Sequence, residues 1–278
     1  RSSEFIFPKK DENQGENMKN RLIVLIDFSE YSKNLLQFAA DWSARIKAEI
    51  VLVHSIPVLL PAMTLTESKK KITALANADA VKQLRTLSQS VLPPGKSAKH
   101  LAAEKPLVVL LNELLGQHHH HLIFLGVKGT NLLKKIFIGS EAVKIIDGIN
   151  NVVVALPQDA PCCTPDSIHV AVQKRYPLNV FELNKFLKFT GDDIKKMTFF
   201  SLLTSEDDPD ATLKYLKELA ALYADKRETA YDLYHASDEL ISLKTLIAEK
   251  TNEFIVVQRG SRMLFDQFFR TFLVNELV

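Results

Sequence analysis

The sequence predicts an α/β protein built as two tandem, open, parallel sheets flanked by helices. Three observations carry this expectation. Short runs of branched apolar residues alternate with segments of helical period; the alternation stops at a proline-rich stretch and restarts; and the most glycine-dense segment comes directly after a predicted strand. Strands alternating with helices need crossover connections, which make neighbours parallel and cover the sheet on both faces.

The first half reads clearly. Leu22–Ile26 is a branched apolar run ending at Asp27, as expected of a strand buried on both faces. A helix continues to about Lys47, with Ser29 or Ser32 as its cap and Leu35, Leu36, Phe38, Ala39, Trp42 and Ile46 on one face. Glu49–Ser55 is a second buried strand, and Pro57 and Pro61 break the chain beyond it. Residues 66–90 are helical in pattern and stop at Pro93-Pro94-Gly95. Lys99–Ala103 is a weaker strand, and Pro106–Gln117 a helix with proline suited to its first turn. Leu122–Leu125 is a strong strand, a helix runs to about Asp147 after a glycine-bearing loop, and Val152–Leu156 is a fifth strand.

The pattern then repeats. Residues 159–166 read as a linker between a first domain, 18–158, and a second, 167–278. In the second, strands are expected at Ile168–Val172, Lys196–Thr204, Thr229–Tyr234 and Glu253–Val257. Helices are expected at Asn179–Phe189, Asp210–Ala224, Glu239–Glu249 and from Arg262. No counterpart of Val152–Leu156 is expected within this half, so that the sequence is either cut short of it or has that strand supplied otherwise. Residues 1–17 are charged, lack the apolar core of a secretory signal, and read as a leader or tail outside the fold.

Composition narrows the function. The chain has 278 residues, 46% hydrophobic and 24% charged, enough for two ordinary cores. A net charge of +2 gives no argument for nucleic acid, and no apolar run reaches the roughly 18–20 residues of a membrane span. The two cysteines, Cys162 and Cys163, are adjacent, a strained geometry for a bridge, so a reducing cytoplasm is the natural compartment.

The informative stretch is Leu125-Gly126-Val-Lys-Gly129, nine intervening residues, then Gly139-Ser140. Carboxyl ends of parallel strands are where open α/β sheets bind ligands. Glycines let main-chain N–H groups close on phosphate, and a helix N-terminus at Gly139-Ser140 adds its dipole and a hydroxyl. Lys128, Lys134 and Lys135 lie nearby in sequence. Alternatively the glycines only make tight turns and Asp27 only caps a helix.

Gly-x-x-Gly, nine residues, Gly-Ser resembles the nucleotide-binding signature of the universal stress protein family, with Gly126, Gly129, Gly139 and Ser140 in all four positions. Asp27-Phe-Ser29-Glu30 and Val51-Leu-Val-His54 resemble the family's first two strand ends, and the likeness covers about residues 20–158. The resemblance implies an adenine nucleotide alpha hydrolase-like fold of strand order 3-2-1-4-5. It also implies ATP, with or without Mg, bound for a regulatory, stress-response role rather than catalysis. It places Asp27 on the ribose or adenine, Ile26 and the backbone of Ser55 at the adenine, Leu125 near the ribose, and the glycines with Ser140 on the triphosphate. An unidentified protein partner, a pseudo-dimer within the chain and room for a homodimer come with it. The alternative is an interaction scaffold of the same fold that binds no nucleotide.

The second half lacks the signature. With Leu264 matched to Leu132, Gln258 stands for Gly126, Ser261 for Gly129, Thr271 and Phe272 for Gly139 and Ser140, and Gln173 for Asp27; a shift of one residue restores Gly260 near Gly129 but not the Gly-Ser pair. His118–His121 are expected in a solvated loop, because successive side chains of an extended stretch diverge and do not converge on one metal. Cys162, Cys163 and His169 lack paired zinc spacing. Lys69–Lys71 read as a solvated helix start, and Phe268, Phe269 and Phe272 as packing.

Overall fold

A computed structural model describes residues 18–56, 66–127, 140–157, 160, 165–203, 205–235 and 253–258. They form two parallel sheets. The first contains β1 (Asn20–Leu25), β2 (Glu49–Ser55), β3 (Ala98–Ala103), β4 (His120–Val127) and β5 (Val153–Pro157), in the order β3-β2-β1-β4-β5. The second contains β6 (Ser167–Ala171), β7 (Lys196–Leu203), β8 (Glu228–His235) and β9 (Glu253–Val257), in the order β8-β7-β6-β9. The expected strand order of the first sheet is therefore observed. The expected helices at 239–249 and from 262, the end of the chain where a further strand was expected missing, and both cysteines lie outside the described residues.

Helices cover the first sheet in two pairs. Alternate residues of β1 decide the partner, since successive strand side chains point to opposite faces. Leu22, Val24 and Ile26 pack with α1 (Ser32–Ile46) and with α2 (Thr66–Val91) through Leu84, whereas Ile23 and Leu25 pack with α3 (Leu107–Leu115) and α4 (Ser140–Gly148). Gly148 allows the α3–α4 approach, because a Cβ there would meet Val108 Cγ1 at 3.1 Å.

The α1 layer continues into the second half. Phe38, Trp42 and Phe124 of the first half join Phe186 of α5 (Val180–Thr190) and Phe254 of β9, with ring centroids 5.3–6.5 Å apart. The fully buried Trp42 donates its indole N–H to the Phe189 carbonyl at 2.5 Å, and Arg45 pairs with Asp193 at 3.0 Å. The last helix of the described residues, α6 (Pro209–Tyr223), packs on β7 and β8 and begins at an Asp208 cap that accepts from the N–H groups of Asp210 and Ala211. Among the described residues no helix is long and apolar enough to cross a membrane.

Two local expectations change. Neither Ser29 nor Ser32 caps α1: Tyr31 occupies that position with no side-chain cap, and both serines donate to Asp27 instead. The histidines do not all lie in a solvated loop: His118 is exposed, but the next three are not. β4 starts at His120 and pairs with β1, which draws His121 into the interior and His119 against the buried Arg21. Arg21 donates to Glu49, to Gln117 at 2.5 Å and to His119 Nε2 at 3.0 Å, closing the amino end of the sheet. Because Arg21 is a donor, His119 presents a lone pair to it and is neutral. His121 donates from Nε2 to the Gln117 carbonyl at 3.1 Å.

This packing can be tested in two ways. Trp42→Phe is expected to cost about 1–3 kcal/mol by leaving the Phe189 carbonyl without its donor, and Trp42→Ala about 3–5 kcal/mol. Urea unfolding followed by circular dichroism measures both; losses below about 0.5 kcal/mol would mean that this contact does not hold the halves together. The second test concerns acid. Burial, then Arg21, holds His119 below its ordinary 6.5, and burial is also the main cause of the lowered value of His121. Depressed folded values mean that the unfolded chain takes up protons first. Stability is thus complete above about pH 6.5 and falls as pH drops through the folded values, by up to about 1.4 kcal/mol per pH unit for each ring. Glu49 is pushed up by burial but held below 4.5 overall by Lys99 and Arg21, and its contribution is lost at still lower pH. Urea midpoints from pH 8 to 5 should fall in the unsubstituted chain and fall less in His119→Gln; identical slopes would reject the assignment.

Candidate functional site

β1 and β4 are neighbours, but the helices that succeed them lie on opposite faces of the sheet. The chain therefore parts above their carboxyl ends, as at the switch point of any doubly wound sheet. A cleft opens there, lined by Leu25, Ile26, Asp27, Ser29, Tyr31, Ser32 and Leu35 from the β1–α1 side, and by Leu107, Leu125, Gly126, Glu141, Ala142 and Ile145 opposite. Both helices present their N-terminal ends to it, and with them the positive end of each dipole.

Asp27 is the fixed polar group of this cleft. Its Oδ1 accepts from the Ser29 N–H at 2.9 Å and from the Ser32 hydroxyl at 3.1 Å. Burial alone would push the carboxyl up, but these bonds outweigh it and hold it below the ordinary value of 3.8. Asp27 is therefore a carboxylate at neutral pH. The turn that holds it is tight: Phe28 adopts a positive φ of 60°, costly for a side chain of this size, and its ring rests on His54 at 4.5 Å. His54 in turn donates from Nδ1 to the Ile26 carbonyl at 2.7 Å.

Of the residues expected at a site, Ile26, Asp27, Leu125 and Gly126 converge on one cleft. Ser140 opens α4, one residue before the lining Glu141. Ser55 ends β2, where its hydroxyl donates to the Lys105 carbonyl at 2.6 Å; it is not among the lining residues. Gly129 and Gly139 lie outside the described residues. Sequence reading missed Tyr31, Ser32, Leu107 and Glu141; an acid one position after Gly-Ser was a visible signal for the last.

The second half differs at the corresponding end. Gln258, which comes after β9 as Gly126 comes after Leu125 in β4, donates to the Pro177 carbonyl at 3.1 Å and accepts from the Asn179 N–H at 2.5 Å. Its side chain thus ties the end of β9 to the β6–α5 loop. Asn179 itself caps α5, accepting from the Glu182 N–H at 3.2 Å. Among the described residues no group of three or more His, Cys, Asp or Glu side chains is arranged to hold a metal ion.

The family model described as the universal stress protein family matches residues 18–157, half of the chain. The chain belongs to the universal stress protein family. No curated protein matches it. Among solved structures, a universal stress protein from Archaeoglobus fulgidus DSM 4304 is 16% identical with a TM-score of 0.55, covering 84% of this chain and 86% of that one. That likeness spans both sheets and supports the fold. A universal stress protein from Archaeoglobus fulgidus in complex with dAMP is 19% identical over 50% of this chain and 98% of its own, with a TM-score of 0.33. A universal stress protein in complex with cAMP is 16% identical over 51% and 99%, with a TM-score of 0.32. At those scores neither decides anything about this chain.

Gly126 offers a test of whether its missing side chain serves the fold. A Cβ there would meet only Leu35 Cδ2, at an ordinary 3.9 Å, and its φ is not in the left-handed region. Gly126→Ala should therefore leave stability unchanged or raise it by about 0.5–1 kcal/mol, as for other strand glycines. A loss above about 1 kcal/mol in urea unfolding would mean that the glycine is structural.

Proposed function

We propose that the cleft between β1 and β4 binds an adenine nucleotide, with ATP the expected ligand and Mg an accompanying ion. The observation that carries this reading is the convergence of Asp27 and Gly126 with the N-termini of α1 and α4 on one cleft at the switch point. The carboxylate is an acceptor for ribose hydroxyls, and the helix ends suit phosphate. A glycine that neither sterics nor φ demands leaves the backbone open to close approach. Gly129, Gly139 and Ser140 complete the phosphate-binding set in this reading.

The role is regulatory and stress-related rather than catalytic. Residues 18–158 are taken as the nucleotide domain, 159–166 as a linker and 167–278 as a second domain of the same fold, with a cytoplasmic location. Gln258 supports reading the second half as a partner without a nucleotide site, since it ties together two segments that would have to part for a ligand. The same observation favours a second reading, in which the whole chain is an interaction scaffold.

Calorimetry separates the two. ATP titrated into the intact chain should give saturable heat, which Gly126→Val and Gly139→Phe abolish while unfolding midpoints stay within about 1 kcal/mol of the unsubstituted protein. Absence of heat from the intact chain, with no nucleotide found by mass spectrometry of the denatured protein, would overturn the nucleotide reading and leave the scaffold.

A further inference from the structure

Glu141 departs from what a plain anion cradle would place in this cleft. It stands in the first turn of α4, directly after Ser140, and lines the cleft with Asp27. Its Oε1 pairs with Lys144 Nζ at 2.6 Å, one turn along, and both side chains are largely exposed, at 61% and 65%. A carboxylate in that position already occupies the favourable field of the helix N-terminus. A ligand phosphate brought to Ser140 competes with it for that field and is repelled by it. Asp27 adds a second negative charge across the cleft. The repulsion grows with each negative charge on the ligand and is relieved when a divalent cation neutralises the phosphates.

We propose that Glu141 is a specificity-determining residue of the nucleotide cleft, whose carboxylate disfavours metal-free polyphosphate and makes tight ATP binding depend on a divalent cation. The proposal rests on the nucleotide reading of the cleft. Lys144 tempers the effect by partly neutralising the carboxylate, so the two side chains set the discrimination together.

The test is a charge series. Adenosine, AMP, ADP and ATP are titrated in EDTA, and ATP again with Mg²⁺, into the unsubstituted chain, Glu141→Gln and Lys144→Gln. Glu141→Gln should leave adenosine within about two-fold and tighten metal-free ATP by about ten-fold, with AMP and ADP between. Added Mg²⁺ should narrow the ATP difference to about two-fold. Lys144→Gln, which bares the carboxylate, should shift metal-free ATP the opposite way. An equal shift for adenosine and ATP would reveal a structural effect and overturn the proposal, as would no shift for any ligand. Failure of the unsubstituted chain to bind any of the four, with or without Mg²⁺, would overturn the nucleotide reading and the charge filter with it. Binding with a flat charge series would overturn the filter alone.

Discussion

The site depends on one topological constraint: α1 and α4 come after adjacent strands yet lie on opposite faces of the sheet. Right-handed crossovers in a twisted parallel sheet force such a parting wherever the strand order reverses. Between β1 and β4 it leaves a crevice that no local side-chain choice has to carve. The apolar layers on either side then hold it open. Leu22, Val24 and Ile26 fix α1 against one face, while Ile23 and Leu25 fix α3 and α4 against the other.

The two ends of the first sheet are treated in opposite ways. At the amino end, Arg21 binds Glu49, Gln117 and His119 and closes the surface. At the carboxyl end, Asp27 spends one oxygen on Ser29 and Ser32 and faces a cleft. The second sheet has a related closure at its amino end, where the buried His169 meets Glu253 across β6 and β9. At its carboxyl end Gln258 bridges Pro177 and Asn179. The halves thus share an architecture and differ where a ligand would enter, so that shared folding does not imply shared chemistry.

Much of this was legible because buried parallel strands announce themselves. Runs such as Leu22–Ile26 and Glu49–Ser55 have few alternatives, and their order sets the switch point. Asp27, Leu125 and Gly126 could be placed together because each stands at a strand end. What could not be read depended on partners distant in sequence. Ser32 looked like a helix cap, but its hydroxyl has a better acceptor in Asp27, positioned by the turn at Phe28. His121 looked solvated because local composition is silent about β1 lying alongside it. Trp42 read as one more apolar residue of α1, and nothing local signals a hydrogen bond to residue 189.

Trp42 also bears on what a second half without a ligand would contribute. The N-terminal turn of α1 supplies Ser32 to Asp27, and Leu35 lines the cleft. Farther along the same helix, Phe38, Trp42 and Arg45 engage β9, α5 and the loop after it. A helix is stiff over four turns, so fixing its carboxyl half also restricts its amino half. Packing against the first sheet alone would hold α1 on one side; packing against both sheets holds it from two. The second half therefore positions one wall of the cleft even though none of its described residues lines it. A sheet whose own carboxyl end is bridged by Gln258 thus still bears on the geometry of the cleft in the other.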